Sequence, residues 1–345
     1  MRQRLTVAIY LLVSLSVAIP SALAQSRGVN YISDIEGQAE VNGNRAHVGD
    51  FVHHSDELRV LLGGNVGIVC HNETREQRFP LGTYIITDYC TEVSSSRTGR
   101  RRPPRDFDSQ LPYVISPRNT ALLGVTQPMI RWNSLEGAQE YRVLLFTDSP
   151  DNPVWTTQIS TPEVRYDGPE LQRDTRYRLE ITADNGLSSS ADIAVGFTLL
   201  SESEADRITR EVAVLEEINL NPDAEALGLA LSYQGYEHED PAQDTDSPLN
   251  QAALEVLQAR IDDGTDNSLI YVMQGDIYFS VGLPLRAQEH YQQALTLATK
   301  TGQLQGQAGS QDGLALLAQG RGELSEAIAY TEEALALYEV MGDAE

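Results

Sequence analysis

Gly275, Gly282, Ala287 and Ala294 recur forty residues later as Ala315, Gly322, Ala327 and Ala334, and this frame of small residues constrains the fold more than any other feature of the 345-residue chain. Forty-seven residues before Gly275 and Gly282 stand Gly228 and Gly235, after which Ala252 and Ala259 repeat the seven-residue step of Ala287 and Ala294. Small residues at such intervals let two helices cross closely, and rings such as Tyr278 and Tyr291 fill the gaps between them. One helix pair cannot bury its apolar face alone, so a stack of about three pairs is the least that stands.

These glycine, alanine and tyrosine positions resemble the tetratricopeptide repeat. The resemblance implies a C-terminal α-solenoid of helix pairs over residues 201–345, with three units. The unequal periods then have a local cause. Residues 236–248, YEHEDPAQDTDSP, are polar and proline-containing and are expected to form an inserted acidic loop, while TKTGQLQGQAGSQ is expected to lengthen helix ends. Ser203 and Asp206 have the spacing of a capping box. Ile208, Val212, Leu215 and Ile218 follow on one helical face, so this helix is expected to cover the first repeat. The sequence closes at Glu345 directly after the third unit's second helix, whose outer surface is expected to be tolerated or covered.

The other end supplies an address. Arg2 and Arg4 precede an apolar run from Leu5 to Ile19, and Ala22 and Ala24 are the small residues of a signal-peptidase site, so residues 1–24 read as a signal peptide. The run is short for a membrane span and no second run of that length follows, which implies an exported chain in the periplasm or cell envelope with no integral span after cleavage; a retained anchor is the alternative. Formal net charge is −25, and −21 of it falls from Ser201 onward. Such a field repels nucleic acid and anionic lipid and favours basic partners, or serves solubility alone.

Residues 28–92 alternate in hydropathy between glycine-punctuated turns, which reads as short strands. The phrase Ile35-Glu36-Gly37-Gln38-Ala39-Glu40-Val41, with Val48-Gly49-Asp50, Asp56-Glu57-Leu58 and Gly63-Gly64, resembles the FecR-like domain and implies a small exported β module. Cys70 and Cys90 are the two cysteines of the chain, both fall here, and an exported setting favours pairing them. The rival is a zinc or copper site with His47, His53, His54 and His71, whose spacing is irregular and includes no paired-ligand motif. Asn72-Glu73-Thr74 matches a glycosylation acceptor. Residues 93–110 carry Arg97, Arg100, Arg101, Arg102 and Arg105 among serines and prolines, as a basic linker that tethers to an anionic polymer or merely spaces.

Strand-length runs fill 111–200: Met129–Trp132, Tyr141–Thr147, Val154–Ile159, Val164–Tyr166, Tyr177–Ala183 and Ile193–Leu199. Trp132, Ala138, Tyr141-Arg142-Val143, Leu171 six residues before Tyr177, and Ile181, Ala183, Asn185 and Gly186 resemble a fibronectin type III domain. That implies an immunoglobulin-like sandwich with a tyrosine corner at Tyr177. The fold class is therefore multidomain β + α: a small β module, a β-sandwich and the helical repeats.

Chemistry is hard to find. No nucleophile elbow, zinc-protease helix, phosphate loop or dinucleotide fingerprint is present, His238 and His290 have no evident serine or cysteine partner, and no cofactor is implied. Asp262-Asp263-Gly264-Thr265-Asp266-Asn267 and Asp244-Thr245-Asp246 hint at calcium but lack the spacing of a helix–loop–helix site. A groove remains. If the first helix of each unit lines the concave face, Glu225, Leu229, Tyr233, Met273, Asp276, Phe279, Asp312 and Leu316 form an apolar strip edged by carboxylates. Such a strip suits a protein or peptide with apolar anchors and basic flanks. The expectation is a non-catalytic scaffold. The alternatives are a polysaccharide- or peptidoglycan-binding protein acting through its β modules, which a solvent-facing Trp155 would favour, and a FecR-type signalling component.

Overall fold

The structure is a computed structural model and describes residues 30–70, 76–90, 111–147, 152–189, 195–235 and 248–342. The signal segment, the basic linker, His71, the Asn72 acceptor, His238, Asp244-Thr245-Asp246 and the acidic insertion up to residue 247 lie outside the described residues.

Six strands build the first sheet: β1 (Asn30–Glu36), β2 (Ala39–Val41), β3 (Asn44–Arg45), β4 (Phe51–Val52), β5 (Glu57–Val69) and β6 (Glu76–Ile85). All pairs are antiparallel, in the order β3-β2-β5-β1-β4, with β6 also on β5. Alternation places Leu58 and Val60 of β5 inside while Glu57 and Arg59 face out. Two tight turns are closed by carboxylates: His47 N–H donates to Asp50 Oδ2 and His53 N–H to Asp56 Oδ2, each at 2.7 Å. The backbone of these histidines thus has a turn-forming role set by an aspartate three residues on.

Cys70, directly after β5, is disulfide-bonded to Cys90, twenty positions on in sequence, with Cα atoms 5.5 Å apart. Closing a loop of that length stabilises the module by about 3 kcal/mol in the chain-entropy account. The Cys70→Ser/Cys90→Ser double variant is expected to lose about that much in denaturant melts. Unchanged melting under reducing conditions would contradict it.

Residues 114–199 form two further sheets. A three-stranded sheet has the order β12 (Glu163–Arg165), β9 (Met129–Trp132), β7 (Val114–Ser116). A five-stranded sheet has the order β11 (Trp155–Ile159), β10 (Tyr141–Phe146), β13 (Thr175–Ala183), β14 (Val195–Leu199), β8 (Thr120–Leu122), with β8 parallel to β14. Ile130 and Trp132 of one sheet and Val143, Leu145, Ile181 and Phe197 of the other share one apolar core. Tyr177 is buried there, and its hydroxyl accepts from Gln172 N–H at 2.6 Å. Trp155 is also buried, donates to Asp167 Oδ1 at 2.9 Å and packs edge-on against Tyr166. It offers no solvent-facing ring.

Among the described residues seven helices follow: α1 (Glu202–Glu217), α2 (Pro222–Gln234), α3 (Asn250–Asp262), α4 (Ser268–Ser280), α5 (Pro284–Thr301), α6 (Leu304–Arg321) and α7 (Leu324–Met341). The cap of α1 is Ser201, whose side chain accepts from Glu204 N–H at 3.2 Å, and not Ser203. The serine–glutamate pair two residues earlier has the same spacing and places the acid at the positive end of the helix. Ile208, Val212 and Leu215 of α1 are buried in the helical core, as their common face requires. Gly302 and Gly322, both left-handed at φ near 76°, end α5 and α6, leaving turns too short for anything but two lengthened helices. The Asp262–Asn267 stretch is a turn in which Asn267 caps α4 by accepting from Leu269 N–H at 3.0 Å. Among the described residues no helix is long and apolar enough to cross a membrane.

The β sheets pack onto these helices. Tyr31, Phe51, Val69, Ala121 and Leu200 belong to the same apolar core as α1 to α6. Polar clamps surround that contact. Gln305 accepts from Phe51 N–H at 2.7 Å and donates to Phe51 O at 2.6 Å, extending the edge of β4 by one amide. Asn42 and Asn44 donate to Met341 O and Val340 O at 2.9 Å. On the other module, Asn250 donates to Asn119 O at 2.9 Å and Gln251 N–H to Thr120 Oγ1 at 3.1 Å. Buried Arg118 donates from Nε to Val281 O at 2.7 Å, a cation on the C-terminal carbonyl end of α4.

Candidate partner-binding surface

The second helix pair is assembled around one ring. Tyr291 of α5 is fully buried, and a Cβ added at either Gly275 of α4 or Gly313 of α6 would overlap it. Its hydroxyl donates to Asp276 Oδ1 at 2.7 Å. Two glycines therefore clear the space for one large side chain that locks three helices. Ala287 and Ala294 are fully buried on the same face of α5, and Ala315 and Ala334 are buried in the third pair, while Ala327 is half-buried. Gly282 serves as a left-handed turn between α4 and α5, and half-buried Tyr278 stacks on His290.

The first pair departs from this frame. Gly228 faces the Tyr31 hydroxyl of β1, so it clears space for the first sheet and not for a helix crossing. Gly235 caps α2 in the right-handed region. On α3 the buried apolar positions are Ala253 and Leu257, whereas Ala252 is half-buried and Ala259 exposed. The polar bonds of Asn250 to Asn119 O and of Gln251 N–H to Thr120 Oγ1 hold α3 in a different register.

Of the eight strip positions, Leu229, Tyr233, Met273, Phe279 and Asp312 are buried within the chain, and Glu225, Asp276 and Leu316 are half-buried. The expectation of an open apolar groove needs this correction. Leu229, Tyr233, Met273 and Phe279 lie in the core that also holds Tyr31, Phe51, Val69, Ala121 and Leu200, so the apolar part of the strip is satisfied internally. What reaches solvent is its edge, two carboxylates and a leucine.

Beneath that edge lies a polar layer. Tyr338 of α7 donates to Asp312 Oδ2 at 2.6 Å, and Asp312 Oδ1 has no hydrogen-bond partner among the described residues. Burial, with the Asp276 carboxylate adding to it against the Tyr338 hydrogen bond, pushes the Asp312 carboxyl up to about 7. His290 stacks on Tyr278 with ring centroids 5.1 Å apart, and burial, aided by Arg286, pushes its imidazole down to about 4. Both groups face protein, Asp312 beneath Tyr338 and His290 against Tyr278. Nothing in the sequence pattern pointed to Asp312 and Tyr338 as a pair, because their separation of twenty-six residues reflects two long helices running back past one another.

Comparison with curated proteins finds no match. Among solved structures, the crystal structure of MamA protein is 22% identical and covers 40% of this chain and 68% of that one, at a TM-score of 0.28, too low for anything to be carried over. The tetratricopeptide repeat family model matches residues 266–339, from the cap of α4 into α7, and supports a tetratricopeptide-repeat character for the helical part of the chain.

Proposed function

We propose that the chain is a non-catalytic scaffold, exported to the periplasm or cell envelope, that holds a protein or peptide partner on its helical repeats. The repeat match over 266–339 carries this reading. Supporting it, the accessible edge of the first-helix strip is Glu225, Asp276 and Leu316, a pairing of acid and apolar groups that suits a basic partner with apolar anchors. The exported setting is supported by the Cys70–Cys90 bridge, since such bonds persist in oxidising compartments. The β modules fit FecR-like and fibronectin type III-like units: the second has two sheets around one core and a tyrosine hydroxyl returned to the backbone before its strand. In this reading their role is to brace the helices. A polysaccharide platform at Trp155 is disfavoured by the burial of that ring.

Crosslinking in cells from a photoreactive residue placed at Leu316, with buried Tyr233 as the control position, tests the proposal. A defined polypeptide captured from position 316 and not from 233 is expected. Recovery of bulk envelope polymer alone, or equal yields from both positions, would sink it.

A further inference from the structure

We propose that the outward face of α7 docks a basic amphipathic helix of a partner protein, which packs there as the first helix of a further repeat unit would. This deepens the scaffold reading and rests on it. Leu324, Ile328 and Leu335 occupy positions i, i+4 and i+11 on one side of α7 and are 62%, 56% and 50% exposed. Aligned large apolar side chains at that exposure differ from the scattered single ones of an ordinary surface. The chain itself shows what such a face takes. Forty residues back from Ile328 and Leu335 are Gln288 and Leu295 on α5, and there both are half-buried: Arg321 at the end of α6 donates to Gln288 Oε1 at 3.1 Å, and Leu295 packs against the main core. Small residues of α6 make its close approach to the preceding pair, with Gly306 against Ser268 of α4 and Ala298 of α5, and Gly313 against Tyr291 of α5.

Charge selects the occupant. From Leu324 to Met341, α7 carries Glu326, Glu332, Glu333 and Glu339 and no lysine or arginine. Glu332 and Glu339 each stand four residues after a member of the stripe, so they run along its edge, and both are exposed. A second copy of this chain would bring the same acids together and be repelled. A helix with small and leucine side chains on one face and lysine or arginine along its margins meets both the apolar stripe and the acids.

The test uses the full chain and three synthetic eighteen-residue peptides. One has an alanine–leucine face edged with lysine, one has the same face edged with glutamate, and one scrambles the lysine peptide so that its apolar residues are dispersed. Fluorescence anisotropy is expected to show the lysine-edged peptide binding at least tenfold tighter than either control. Ile328→Gln and Leu335→Gln, neutral changes at exposed sites, are expected to weaken it at least tenfold, and Glu332→Gln/Glu339→Gln to weaken it while binding the glutamate peptide no more weakly than the wild type does. Equal binding of the scramble, insensitivity to the glutamine variants, or a wild-type dimer in sedimentation that Leu335→Gln dissociates would each overturn the proposal. A partner captured at position 316 with no peptide binding at α7 would remove this inference alone; failure at both surfaces would remove the scaffold reading with it.

Discussion

Tyr291→Ala is expected to lower the unfolding free energy of the helical part by about 4 kcal/mol, in the range of a large aromatic removed from a closed core. The ring is fully buried and stands where any side chain at Gly275 or Gly313 would collide with it. Two backbones shaped around one ring cannot collapse into the space it leaves, and a helix pair with a void loses its neighbour's support as well, because each unit is held by the next. Tyr291→Phe separates the two parts of the effect. It keeps the volume and removes only the hydroxyl that donates to Asp276, so about 1 kcal/mol is expected. In the Tyr291→Ala background, Gly275→Ala should be better tolerated than in the wild type, since the added methyl enters vacated space. Denaturant melts followed by helical circular dichroism measure all of these. A Tyr291→Ala loss no larger than that of Tyr291→Phe would mean that the ring is not the lock between α4, α5 and α6.

The same residues show what could be read from the sequence. The forty-residue recurrence exposed the second and third helix pairs because close crossings leave small residues at fixed intervals, and two cysteines in one β module left one economical pairing. Strand runs were legible from β9 to β14, whereas the sequences of β7 and β8 show no alternation, β8 being buried at all three positions. The docking of the sheets was not legible. A strip such as Leu229, Met273 and Phe279 looks the same whether a foreign peptide or the chain's own core covers it, and pairs such as Gln305 with Phe51, 254 residues apart, leave no local trace. For the same reason Gly228 could be read only as a helix-crossing residue, although the group it makes room for is Tyr31. The position of Asp312 in the repeat frame points to a solvent-facing edge, but Tyr338 of α7 lies over it and seals it inside.

That sealed carboxyl makes stability depend on pH in a direction unusual for an aspartate. With its folded-state pKa raised to about 7 from 3.8, the folded chain binds more protons than the unfolded chain between those values. Stability contributed by Asp312 therefore falls as pH rises from about 4 to about 7 and stays lost above, by up to about 4 kcal/mol from the shift alone. His290 acts oppositely. Its folded pKa of about 4, below the ordinary 6.5, means that the unfolded chain binds the extra proton, so stability rises with pH between about 4 and 6.5. In the wild type the two slopes offset each other from about pH 4 to 6.5. Asp312→Asn removes one of them. Its amide keeps an oxygen for the Tyr338 hydroxyl and brings a second polar atom to the place of Oδ1, which shifts the whole curve but cannot tilt it. Whatever the other groups contribute to both curves, the difference between the two should move by several kcal/mol in the variant's favour from pH 4 to pH 8. His290→Gln should tilt the curve the other way. Thermal melts across that range that run parallel for wild type and Asp312→Asn would show that Asp312 titrates alike in folded and unfolded chains, and that the layer beneath the repeat edge is open to water.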